Sequence, residues 1–253
     1  MYNYEKPVNY QDAIVFRFEF QTLITVRPKV TYYGHSCFSV DLGGKNILFD
    51  PFISPNPQAS IIDVSTLMPD VILITHGHGD HVADAVSIAK QSNAQVIAPY
   101  EITEWLQKQG VENCFPMNTG GSINLGFTSV KLVRAEHSSS FPDGRYAGDA
   151  VGFVIKSPHT CFYYAGDTAL TLDMQLIPIQ FKLDFAFLPL GDNFTMGLGD
   201  AIGAAKLIDC NRIIGMHFDT FPPISIDHQE AHELFKKADV HLTLPIINQT
   251  IEL

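Results

Sequence analysis

The stretch that decides the fold is Thr75–His81, "THGHGDH", which follows the apolar run "VILI" at Val71–Ile74. It packs His76, His78, Asp80 and His81 into one short loop. A strand that ends in a tight loop aims several side chains at one point. Gly77 and Gly79 separate His76, His78 and Asp80, and glycine permits the unusual backbone angles such a loop requires. His76 and His78, two residues apart, can point the same way, which leaves Asp80 and His81 to face a second point close by. Imidazole and carboxylate are ligands for zinc, iron or manganese without any thiolate. A polar loop with a helix-capping Asp80 would account for one incidental histidine. It does not account for this spacing behind a buried strand.

One loop cannot complete two metal shells, so further ligands must come from the ends of other strands, where chain ends converge. His137 follows "VKLVRAE", Asp167 follows "CFYYAG" and His217 follows "RIIGM". The remaining histidines fit less well. His159 sits in the turn "SPHT", His228 and His232 lie on a predicted helix, and His241 opens the last predicted strand.

Around these points the chain reads as a βα series in two halves. "VTYYG", "CFSVDL" and "NILFD" are short strands, the last two joined by the turn "GGKN". "VILIT" leads to a helix over 82–91, "QVIAP" to a helix over 101–109, and "GSINL" and "SVKLVRA" to "EHSSS". The second half runs "AVGFVIKS", "CFYYAGD", a helical stretch over 172–181, and "DFAFLPLGDN". A helix capped by Asp200 follows, then "RIIGMHF", a helix from Asp227 to Ala238, and "VHLTL" to end the pattern. The strands are apolar nearly throughout, as strands covered on both faces are. Two sheets between helix layers is the packing this predicts. Residues 1–28 are expected as an N-terminal extension. Phe16, Phe18 and Phe20 alternate there with Arg17, Glu19 and Gln21, as in a strand that adds to a sheet edge or meets a second subunit. Residues 29–253 form one domain.

The 253 residues carry 16 Lys and Arg against 27 Asp and Glu, a formal charge of −11. That acidity repels phosphate backbones and disfavours nucleic acid as a partner. Apolar residues make up 46% and charged residues 17%, which excludes a disordered chain. Cys37, Cys114, Cys161 and Cys210 stand singly and read as reduced thiols. The apolar stretch over 13–26 is broken by Arg17, Glu19 and Gln21, so it is neither a signal peptide nor a membrane span, and a cytoplasmic location is expected.

The set His76, His78, Asp80, His81, His137, Asp167 and His217 resembles the dinuclear site of the metallo-β-lactamase fold superfamily. Within it, "GHSCF", "DPFIS", "HSSS", "GFVI", "AGDT" and "GDNFTMG" resemble the small metal-dependent hydrolases related to ascorbate-6-phosphate lactonases. The resemblance spans residues 30 to 220. It implies an α/β, four-layer αββα sandwich with two divalent ions at the strand-end edge, zinc or manganese first and iron as a further option. His76, His78 and His137 would hold one ion, Asp80, His81 and His217 the other, and Asp167 would bridge them. It also places His35 of "YGHSCF" near the site, as a donor behind the ligands or a proton shuttle; a turn histidine bonded to backbone is the other reading.

Two metals about 3.5–4 Å apart can share a hydroxide and stabilise an oxyanion, so hydrolysis of an ester, lactone or phosphorylated metabolite is the expected chemistry. Asp80 is a candidate to orient the attacking water, and Asp50 to accept the free N–H of a ligand histidine. Asp192, Asn193 and Thr195, with Phe194 and Met196, are candidates to line the substrate. The loop over 137–148, with Ser138 and Arg145, is a candidate to fold over it, Arg145 meeting an anionic group. The alternatives are a phosphodiesterase of small or lipid diesters and a metal-binding scaffold without catalysis. The expected partner is a small-molecule substrate, with a homo-oligomer as a further possibility. A β-lactamase role would require secretion, and a di-iron redox role an electron partner.

Overall fold

A computed structural model describes residues 27–253, so the strand expected through Phe16, Phe18 and Phe20 lies outside the described residues. The first half contains β1 (Lys29–Gly34), β2 (Cys37–Asp41), β3 (Asn46–Phe49), β4 (Val71–Leu73), α1 (Gly79–Val82), α2 (Ala85–Ser92), β5 (Gln95–Pro99), α3 (Tyr100–Lys108) and β6 (Cys114–Met117). The second contains β7 (Ser122–Asn124), β8 (Ser129–Arg134), β9 (Val151–Lys156), β10 (Cys161–Tyr164), α4 (Leu176–Gln180), β11 (Phe185–Pro189), α5 (Leu198–Leu207), β12 (Arg212–Met216), α6 (His228–Lys237), β13 (His241–Thr243) and β14 (Thr250–Glu252).

These strands build two seven-stranded sheets, ordered β14-β1-β2-β3-β4-β5-β6 and β13-β12-β11-β10-β9-β8-β7. Each sheet is half antiparallel and half parallel. β14 to β3 alternate in direction and β3 to β6 run together; β7 to β10 alternate and β10 to β13 run together. It follows that β1, β3 and β4 of one sheet, and β8, β10, β11 and β12 of the other, each end at one edge of their sheet. Crevices outside the carboxyl ends of strands are where open α/β sheets bind ligands.

The aromatic residues of the central strands hold the sheets face to face. Phe49 stacks on Tyr164 with ring centres 4.4 Å apart, and Phe38 meets Phe187 at 4.8 Å. Burying each such ring contributes roughly 1.5–3 kcal/mol. On the outer face of the first sheet, Ile72, Ile74, Val96 and Ala98 pack against Ile88 and Ala89 of α2 and Ile102 and Leu106 of α3. On the second, Ala201, Ala204 and Ala205 of α5 and Ala231 and Phe235 of α6 belong to the main core. The expected αββα sandwich is the fold observed.

Several element boundaries differ from the sequence reading. The helix expected over 82–91 breaks into α1 and α2 around Asp84, whose carboxylate accepts from the amides of Ile53 (2.6 Å) and Ser54 (2.9 Å). The helical stretch over 172–181 is a 3-10 turn, Leu172–Gln175, followed by α4. Pro178 has no N–H to give to an earlier carbonyl, so it fits the first turn of α4 but not the interior of a single helix begun at Leu172. Asp200 does not cap α5: Gly197 stands at the cap and Asp200 lies in the first turn, where the helix dipole favours a carboxylate. Asp227 does cap α6, accepting from Glu230 N at 2.9 Å. The pattern does not end at "VHLTL", because β14 returns to pair with β1. β6 was not expected as a strand because it contains Pro116, tolerated here because β6 is an edge strand. All four cysteines are free thiols, and no helix of the described residues is long and apolar enough to cross a membrane.

Candidate metal centre

The strand ends deliver the predicted residues to one place. β4 releases His76, β8 releases His137, β10 releases Asp167 and β12 releases His217. Cross-sheet hydrogen bonds align the two edges: His217 N donates to His35 O (2.9 Å) and Val151 N to Thr75 O (3.1 Å). Thr168 clamps the His137 strand end, its hydroxyl oxygen accepting from Glu136 N at 3.0 Å.

Asp167 is at the centre. Its Oδ2 lies 3.0 Å from His217 Nε2, 3.3 Å from His81 Nε2, 3.6 Å from His137 Nε2 and 3.8 Å from His76 Nε2. His76 Nε2 and His78 Nδ1 approach to 3.0 Å. Three groups of donor atoms each fall within 4.8 Å of one another: His76, His78 and His137; His76, His81 and Asp167; and His35, Asp80, His81 and His217. All seven predicted ligands are therefore brought together, and His35 joins them.

The residues fit divalent cations. Asp167 Oδ1 and His81 Nε2 are buried without a hydrogen-bond partner, a costly state that a cation would relieve. Burial pushes the His76 imidazole well below its ordinary range and lowers His78 and His137, so those rings present neutral lone pairs. Burial alone would raise Asp167 and Asp80. Instead His217 and His81 hold Asp167 well below the usual carboxylate range, and His35 and His81 do so for Asp80. Burial would also lower His81, but Asp167 and Asp50 beside it outweigh this and raise it.

Behind the ligands, Asp50 accepts from His81 Nδ1 (2.9 Å), Thr75 N (2.8 Å) and Thr75 Oγ1 (2.8 Å), and the Tyr164 hydroxyl lies 3.1 Å away. The same Tyr164 hydroxyl lies 2.5 Å from Ser36 O. Asp50 thus stands where it was expected, and Thr75 and Tyr164 are additions that sequence reasoning missed. Nothing local distinguishes a tyrosine in an apolar strand that reaches across the sandwich. Three of the ten described non-glycine residues with positive φ stand here. His35, Asp50 and His217 all have positive φ, at 57°, 40° and 53°, although none is glycine. Gly77 and Gly79, by contrast, are not in the left-handed region. Gly77 is needed for closeness instead, since a Cβ there would meet Ala147 Cβ at 2.2 Å.

The other predicted residues divide. Ser138 Oγ is 3.4 Å from His78 Nε2, and the loop over 137–148 packs on the ligand loop, with Gly77 N donating to Ser139 Oγ at 3.2 Å. Arg145 is not brought to the site. It pairs with Asp143 at 2.7 Å within its own turn and lies over Phe141, because a carboxylate two residues away captures it first. The loop of Asp192, Asn193 and Thr195 borders the His217 turn: Met196 N donates to Thr168 O (3.2 Å), and a Cβ on Gly191 would meet His217 O at 2.2 Å. Asp192, Asn193 and Phe194 are exposed there, Thr195 is half-buried and Met196 is buried.

Two mixed sheets in a sandwich, with a His/Asp cluster at their common edge, define a metallo-hydrolase architecture. The Beta-lactamase superfamily domain model matches residues 45–218, and the chain belongs to that superfamily. A "UPF0173 metal-dependent hydrolase" of Flavobacterium johnsoniae is 52% identical over 225 residues, covering 89% of this chain and all of its own. One from Methylacidiphilum infernorum is 48% identical, covering 88% of this chain and 99% of its own. The structure of Igni18, a metallo hydrolase from Ignicoccus hospitalis, superposes with a TM-score of 0.81 at 31% identity, covering 90% of this chain and 99% of that one. The protein is a metal-dependent hydrolase.

Proposed function

We propose that the protein hydrolyses a small-molecule ester, lactone or phosphorylated metabolite with two divalent cations. His76, His78 and His137 would hold one and Asp80, His81 and His217 the other, with Asp167 placed between the two groups. The observation that carries this reading is the position of Asp167 Oδ2, within 3.8 Å of four imidazole nitrogens from both sheets. The donor set is nitrogen and oxygen only, which suits zinc, manganese or iron. When bound, the ions supply Lewis acidity and a water of lowered pKa.

The chain's own residues do the rest. Asp50 fixes the His81 ring through Nδ1, and the Thr75 hydroxyl, 3.0 Å from His76 Nδ1, fixes that of His76. The mouth of the site is the side of His78, Asp80 and His137, which are partly exposed while His76, His81 and Asp167 are buried. Substrate enters there, past Ser138 on one side and the loop of Asp192, Asn193 and Thr195 on the other. Asp80, at the mouth, orients the attacking water. An overall charge of −11 favours a small substrate over nucleic acid.

The test loads the protein with zinc or manganese and assays an aryl ester, a lactone, a phosphomonoester and a phosphodiester. Turnover of one of the first three is expected. His76→Ala and Asp167→Ala should each lower it by at least about a thousandfold, with circular dichroism unchanged. Full activity in either variant would sink the ligand assignment, and turnover of the diester alone would select the phosphodiesterase reading.

A further inference from the structure

His35, between β1 and β2, is fully buried and lies outside the seven-ligand set. Its Nδ1 is 3.0 Å from Thr220 Oγ1. The Thr220 hydroxyl has its own acceptor in Phe218 O at 3.3 Å. A hydroxyl carries one proton; with that proton on the carbonyl, its oxygen accepts from His35 Nδ1 in the tautomer that leaves Nε2 bare. In that tautomer Nε2 presents a lone pair.

That lone pair points at other acceptors. Nε2 lies 3.2 Å from Asp80 Oδ2 and has no hydrogen-bond partner, although it is buried. His81 and His217 contribute nitrogens to the same cluster, all within 4.8 Å of one another. One carboxylate and three imidazoles converging in a buried space form the nitrogen and oxygen donor set that a divalent cation takes. The backbone is committed to this placement: His35 O accepts from His217 N at 2.9 Å, and both residues are held at positive φ.

We infer that His35 is a direct ligand, through Nε2, of the cation held by Asp80, His81 and His217, with Thr220 as the positioning residue that fixes its tautomer. This rests on the two-cation reading above. It gives the two sites unequal donor numbers. The His76, His78 and His137 site has four protein donors with Asp167, whereas the other has five. Five exceeds the four that zinc ordinarily takes in proteins, so the second site prefers manganese or iron over zinc relative to the first.

The test titrates metal-free protein with cobalt(II), reading visible absorption and bound cobalt per chain by elemental analysis. Two equivalents are expected in the wild type, the second giving the weaker absorption of a higher-coordinate ion. His35→Ala should keep the first equivalent unchanged and bind the second at least about a hundredfold more weakly, and Thr220→Val, which leaves every ligand in place, about tenfold more weakly. Two cobalt ions with unchanged affinity and spectrum in both variants would overturn the assignment, whatever happened to turnover. That is the result expected if His35 only shuttles protons. Fewer than two cobalt ions in the wild type would overturn the two-cation reading and this assignment with it.

Discussion

Asp50 shows how much a single buried carboxylate can organise. It joins the end of β3 to Thr75 after β4, to His81 on α1 and to Tyr164 across the sandwich. Removing it would leave His81 Nδ1 and Thr75 N buried and unpaired, and take from the Thr75 hydroxyl its carboxylate acceptor. Asp50→Ala should therefore destabilise the fold by roughly 3–5 kcal/mol, measured by urea unfolding. Asp50→Asn keeps an acceptor but not the charge, and should retain most stability while weakening the cation affinity about 10–100-fold by metal titration. Equal losses of stability in the two variants would mean that size, not hydrogen bonding, is what Asp50 supplies. The sequence made Asp50 a candidate because an Asp-Pro pair ends a strand. Its partners are 25, 31 and 114 residues away, and no local pattern names them.

At the scale of elements, the site depends on how closely loops approach one another. The loop over 75–81 lies under the loop over 137–148, with Gly77 against Ala147, Phe141 and Ser140. Gly77→Ala would drive one methyl into another and force the two loops apart, at a cost of about 1–3 kcal/mol. Activity should fall because His78 and His137 sit on those loops. Adding Ala147→Gly removes the obstructing methyl and should restore both stability and turnover; failure of that rescue would place the effect in the backbone of Gly77 itself. The glycines of "THGHGDH" were expected to supply unusual backbone angles, and here the expectation was wrong. Around the cluster, positive φ falls instead on His35, Asp50 and His217, where the chain leaves a strand. Sequence shows that a glycine is present. Whether it serves conformation or clearance depends on a neighbour seventy residues on.

For the molecule as a whole, the proposed ligands come from both halves. His35, His76, His78, Asp80 and His81 come from the first sheet, and His137, Asp167 and His217 from the second. Cations that bind only the native state stabilise it by mass action, about 2.7 kcal/mol at a hundredfold excess over Kd. For a chain of this size, chelation should lower Tm by roughly 5–10 °C, and Asp167→Ala should abolish most of that difference. A Tm unmoved by chelation would mean that the sheets align without the ions.

The local pattern marked the candidate metal ligands. Metal-capable side chains stand just past apolar strands, and that juxtaposition is written in adjacent residues at His76, His137, Asp167 and His217. It also determined the layered fold, because strands apolar on both faces require cover on both. Tertiary structure alone decided that imidazoles from both sheets meet at Asp167, that Arg145 pairs with Asp143, and that His35 Nε2 lies beside Asp80 while Thr220, 185 residues later, contacts its other nitrogen. Those outcomes depend on distances between segments remote in sequence, which only the packing of one sheet on the other sets.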